Sequence, residues 1–118
     1  MGYGLETQMA HGILVCGQFS WNGTTVDGAQ GDGFTAAYNS ATGEAKITLT
    51  NNIPAPYLVA VASFETATAN DQDFVLTVKS AVASTGVVTF SLYNASGTAL
   101  ANPSAAGKVH FMVFAKKP

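Results

Sequence analysis

Val109-His110-Phe111-Met112-Val113-Phe114 is a run in which apolar residues fall on both sides of an extended chain. A strand sends successive side chains to opposite faces, so Val109, Phe111 and Val113 share one face while His110, Met112 and Phe114 share the other. A strand with one wet face would carry polar residues at every second position. This one asks for cover on both sides. One cover is the chain's own core, and the simplest second cover is an identical copy. The reading is therefore an oligomeric β-protein, a building block or binding head rather than an enzyme.

The rest of the chain agrees with an all-β fold. Runs of β-branched and aromatic residues alternate with turn chemistry at regular spacing, and no segment has the period of an amphipathic helix. Strands are expected at 12–21, 24–27, 34–39, 44–51, 57–64, 74–80, 86–93 and 108–115. Asn22-Gly23 is a hairpin signal between the first two. Ser40-Ala41-Thr42-Gly43 turns the chain into a strand with Ile47 and Leu49 inward and Lys46, Thr48 and Thr50 outward. Pro54 and Pro56 lack donors and mark a crossover. The unbroken apolar run Leu58 to Ala62 reads as a strand buried on both faces. About eight strands in a single domain at 12–118, after a lead-in at 1–11, describe an antiparallel β-sandwich of jelly-roll type. In that winding the first and last strands pair antiparallel. An immunoglobulin-like sandwich is the alternative, without a Cys-Trp-Cys framework to support it.

Composition narrows the function. The 118 residues are 47% hydrophobic and only 10% charged, against about 25% charged in ordinary soluble domains. All five basic residues are lysines, and the net charge is −2. Nucleic-acid binding lacks both the basic footprint and the arginine fork that reads bases. No apolar stretch is long enough to cross a bilayer as a helix, so no membrane insertion is expected. No basic residue precedes the first apolar run, so a signal peptide is not expected either. With the lone Cys16, this suggests synthesis in a reducing cytoplasm.

Candidate chemistry is sparse. Cys16, inside Ile13-Leu14-Val15-Cys16, reads as a small buried hydrophobe. His110 reads as a paired core or interface imidazole, and His11 as solvated. A shared site of Cys16 and His110 would need the first and last strands to pair. Gly28 to Gly33 has the wrong order for a dinucleotide fingerprint and reads as a flexible turn. Glu65, Asp71 and Asp73 form an exposed loop that could bind a partner; Asp71-Gln72-Asp73 starts like a calcium loop but lacks its glycine and distal glutamate. Trp21, Tyr38, Tyr57 and Tyr93 either cap the core with wet polar tips or form a sugar-stacking platform. No catalytic residue, metal or cofactor is expected.

The segment Thr42-Gly43-Glu44-Ala45-Lys46-Ile47-Thr48-Leu49, followed by Pro54 and Tyr57-Leu58-Val59, resembles a β-sandwich module of bacteriophage virion proteins. Tyr93-Asn94-Ala95-Ser96-Gly97-Thr98 and the closing Val109, Phe111, Val113, Phe114 continue the likeness over roughly 42–114. Ala45 and Leu49 depart from it where the module commonly has aromatics. The resemblance implies a virion-surface structural protein, commonly trimeric, of capsid decoration (cement) or tail-fibre head type. The short lead-in suits a free-standing decoration or tail-associated component. Expected partners are copies of itself and capsid or tail proteins, with Val59, Val61, Phe111, Met112, Val113 and Phe114 as contacts. The rival is an adhesin whose loops grip a host-surface glycan or protein receptor. A secreted trimeric signalling ligand shares the pattern but would need a signal peptide.

Overall fold

The computed structural model describes residues 13–22, 24–50, 57–66, 74–94 and 106–116. They form eight strands: β1 (Ile13–Trp21), β2 (Val26–Gln30), β3 (Phe34–Asn39), β4 (Glu44–Leu49), β5 (Tyr57–Glu65), β6 (Val75–Val82), β7 (Val87–Tyr93) and β8 (Gly107–Lys116). Two four-stranded antiparallel sheets result, ordered β2-β1-β8-β5 and β3-β4-β7-β6. The protein is an all-β sandwich. The first and last strands pair antiparallel, with Phe19 opposite Val109 and Gln18 opposite His110. Hairpins β1–β2, β3–β4 and β6–β7 stay within a sheet, while the other connections change sheets.

Local chemistry sets the turns. Asn22 Oδ1 accepts from the backbone N–H groups of Thr24 (2.9 Å) and Thr25 (2.7 Å), an Asx turn that fixes the β1–β2 reversal. Between β3 and β4, the Asn39 carbonyl accepts from Gly43 N–H at 2.8 Å, with Gly43 at φ 72°. That is a conformation glycine adopts without a Cβ penalty. The second strand lies later than the expected 24–27, because Gly28, at φ 62°, sits in a bulge rather than a loop.

Between the sheets lies one apolar core. Val15, Phe19 and Trp21 of β1 meet Ala45, Ile47 and Leu49 of β4, Val88, Phe90 and Leu92 of β7, and Val109, Phe111 and Val113 of β8. Phe111 is its hub. Its ring centroid lies 4.8 Å from that of Phe34, edge-on, and 6.2 Å from those of Phe19 and Phe90. Such tilted pairs add to what burial alone contributes. Gly17 makes room for this cluster: a Cβ there would stand 2.5 Å from the Phe34 ring and 2.6 Å from the Gln30 carbonyl oxygen.

Three expectations are corrected. Phe111 and Val113, at 3% and 0% exposure, are core residues of the single chain, not contact residues on its surface. Cys16 is exposed, because β1 turns Val15 inward and its neighbour outward. β5 is covered on one face only: Leu58, Ala60, Ala62 and Phe64 pack on the core, while Val59 and Val61 are each 52% exposed. The lead-in at 1–11, with His11, lies outside the described residues, as do Asp71 and Asp73.

Candidate interaction site on the outer face of the first sheet

Strand register builds this face row by row. In one row, Gln30, Gln18, His110 and Ser63 stand side by side across β2, β1, β8 and β5. The next row holds Cys16, Met112 and Val61. Beyond it Phe114 stands beside Val59, and on the opposite flank Ser20, Lys108 and Glu65 are aligned. The face is thus divided. One half is polar, and the other presents Val59, Val61 and Met112 to water, with half-buried Phe114 among them.

The polar half is internally bonded. Gln18 Nε2 donates to Gln30 Oε1 at 3.1 Å. His110 Nε2 lies 2.7 Å from Glu65 Oε1. A carboxylate only accepts, so Nε2 carries the hydrogen and, in the neutral ring, Nδ1 is the open acceptor. The imidazole is therefore paired, as expected, but on the exposed face of the sheet and not in the core. Both side chains are well exposed, so the pair contributes little to stability. At the boundary of the two halves runs a shallow groove of about 610 Å³, lined by Cys16, Gln18, Gln30, Val61, Ser63 and His110 among others.

The pairing of β1 with β8 brings Cys16 and His110 to diagonal positions on one face, about 7–8 Å apart by sheet geometry. Among the described residues no hydrogen bond joins them, so no thiol–imidazole pair is assembled. No cluster of three or more His, Cys, Asp or Glu side chains suited to a metal occurs among the described residues. Among the described side chains, which do not include that of Tyr57, the aromatic platform is not assembled either. Trp21 is 1% exposed, Tyr38 packs toward the core, and Tyr93 lies on the other sheet. The wet-tip reading of Trp21 is corrected with it: its Nε1 is buried and has no partner among the described residues.

No family model, curated protein or solved structure matches this chain. The geometry has to speak for itself. Of the expected contact residues, Val59, Val61, Met112 and Phe114 come together on the outer face, while Phe111 and Val113 lie beneath it. Of the expected binding loop, Glu65 is placed at the end of β5, against His110. The residues sequence reasoning missed are Gln18, Gln30 and Ser63. Their signal was the register of β1 and β5 against β8, which only a known pairing supplies.

Proposed function

We propose that this protein is a structural component of a phage virion, a small homo-oligomer at the particle surface that works by protein–protein contact and performs no catalysis. The observation that carries this reading is the apolar half of the first sheet's outer face. Val59, Val61, Met112 and Phe114 form a contiguous patch on a chain with few charges to offset it. Contiguous exposed apolar surface marks contact sites, and low charge keeps the desolvation cost of covering it small. The likeness of residues 42–114 to virion modules supplies the biological setting. The threefold arrangement expected from that likeness is one way to cover a sheet face; the strand edge discussed below offers a separate, twofold contact.

Sedimentation of the full chain tests this. The expected result is a concentration-dependent oligomer, lowered in order or affinity by Met112→Lys with the β-sheet circular dichroism unchanged. A monomer at all concentrations that also fails to bind purified phage shells or tails would overturn the proposal. The polar half favours a second reading, an adhesin in which Gln18, Gln30, Ser63 and His110 hydrogen-bond a host glycan. Glycan-array binding lost on Gln18→Ala would select it.

A further inference from the structure

Edge strands expose unpaired N–H and C=O groups, and β-proteins guard them with short length, bulges, charge or proline. Of the four edges among the described residues, two carry bulges and a third, β3, is protected by shortness alone. β2 has five residues and a bulge. β3 has six residues, with exposed Thr35 and Asn39. β6 is bulged at Lys79, the extra residue between Val78 opposite Phe90 and Ser80 opposite Thr89. β5 is different. It runs nine residues, Tyr57–Glu65, in unbroken register with β8. It has no proline, lysine or bulge within it, and among the described residues no strand lies beyond it. Glu65 puts a charge at one end and leaves the middle open.

We infer that the β5 edge pairs antiparallel with the β5 edge of a second copy, about a twofold axis at Val61, joining the two first sheets into one eight-stranded sheet. This rests on the self-association reading above and adds a second contact to it: the pairing sets the two apolar half-faces side by side and leaves their outer sides open for cover. Two observations choose the occupant and the register. First, keeping both apolar half-faces on the same side requires a residue, not a peptide bond, at the axis. With Val61 there, the row Cys16–Met112–Val61 continues into Val61–Met112–Cys16 of the copy, an apolar ladder across the joint. Secondly, this register sets Glu65 of each copy opposite Tyr57 of the other, so the two carboxylates stand at opposite ends of the joint and no like charges face each other.

Crosslinking of the full chain in a Cys16→Ser background tests the geometry. Val61→Cys should give a covalent dimer on mild oxidation, since directly opposed residues lie about 5 Å apart. Val59→Cys should not, because the two copies of residue 59 would be about 13 Å apart along the strands, beyond the reach of a disulfide. Val61→Lys places two ammonium groups opposite each other and should raise the dimer dissociation constant about tenfold or more. An oligomer that survives Val61→Lys and gives no Val61→Cys crosslink overturns the edge pairing while leaving self-association standing. A wild-type trimer does the same. A wild-type monomer at all concentrations overturns both.

Discussion

On the second sheet's outer face, Thr48, Lys46 and Glu44 of β4 face Val87, Thr89 and Ser91 of β7, and the apolar Val75 and Val82 are held apart at opposite ends of β6. Its middle is closed by an ion pair. Glu44 is buried, Lys79 Nζ donates to its Oε2, and the buried Ser91 hydroxyl donates to the same oxygen at 3.3 Å. The first sheet's outer face has the reverse arrangement: its exposed apolar residues are adjacent, and its ion pair, His110 with Glu65, sits to one side. Both faces cover the same core. The difference is that one face closes over its own ion pair, whereas the other leaves adjoining apolar side chains open to water.

The comparison breaks most visibly at β8, where inner and outer residues alternate. Phe111→Asp would put a carboxylate without a partner into the aromatic cluster, a burial that costs several kcal/mol. Against the usual margin of about 5–15 kcal/mol, the expected outcome is loss of the folded circular dichroism signal. The neighbouring Met112→Lys, on the outer side, should leave that signal intact.

A smaller effect should come from the second sheet in acid. Hydrogen bonds from Lys79 and then from Thr42 hold the Glu44 carboxyl below its ordinary 4.5. A carboxyl depressed on folding stabilises the folded state above its unfolded value, and that contribution is lost as pH falls through the folded one. Melting temperature should therefore fall as pH drops below about 4.5 and further through the depressed value, more steeply in the wild type than in Glu44→Gln. On the alkaline limb, the same pair raises the Lys79 ammonium above 10.5, so its stabilisation fades as pH rises through that raised value. Equal acid slopes in wild type and variant would show that the second sheet's closure is incidental.

The smallest effect belongs to Cys16. Because it is exposed on the first sheet, Cys16→Ser should change stability by no more than about 0.5 kcal/mol. A thiol reagent should label Cys16 in dilute native protein and label it more slowly once copies associate. Labelling that requires denaturant at every concentration would place the thiol inside and erase the contrast between the faces.

Much of this was legible in the sequence. Strand β3 falls on the expected 34–39, because Gly33 and the Ser40–Gly43 turn bracket it. Alternation along 109–114 separated the two faces of β8, and apolar repetition predicted its neighbour β1. What alternation cannot supply is which face is inner, since Phe111 and Met112 are both acceptable in a core. Runs without alternation were worse: Ile13 to Cys16 and Leu58 to Ala62 gave no period, so Cys16, Val59 and Val61 were read as buried. Bulges hid the ends of β2 and β6, because one extra residue shifts the face of all that follow. The His110–Glu65 contact depended on β5 joining β8, a pairing between distant segments that no local pattern encodes.

The positions of β7 and β8 bear on how the chain reaches this state. Each is an inner strand with neighbours on both sides, and each comes late in the sequence. Before they exist, β1 and β5 have no strand between them, and neither do β4 and β6. On a ribosome, the first six strands would emerge with their core-facing side chains open to water and to other nascent chains. Folding is then gated by synthesis: the sandwich closes in one late step once residue 116 is free, at the slow rates that distant strand pairings impose. A chain stalled before β8 holds all four strands of the second sheet but leaves β1 and β5 unjoined, so one side of its core has no continuous cover.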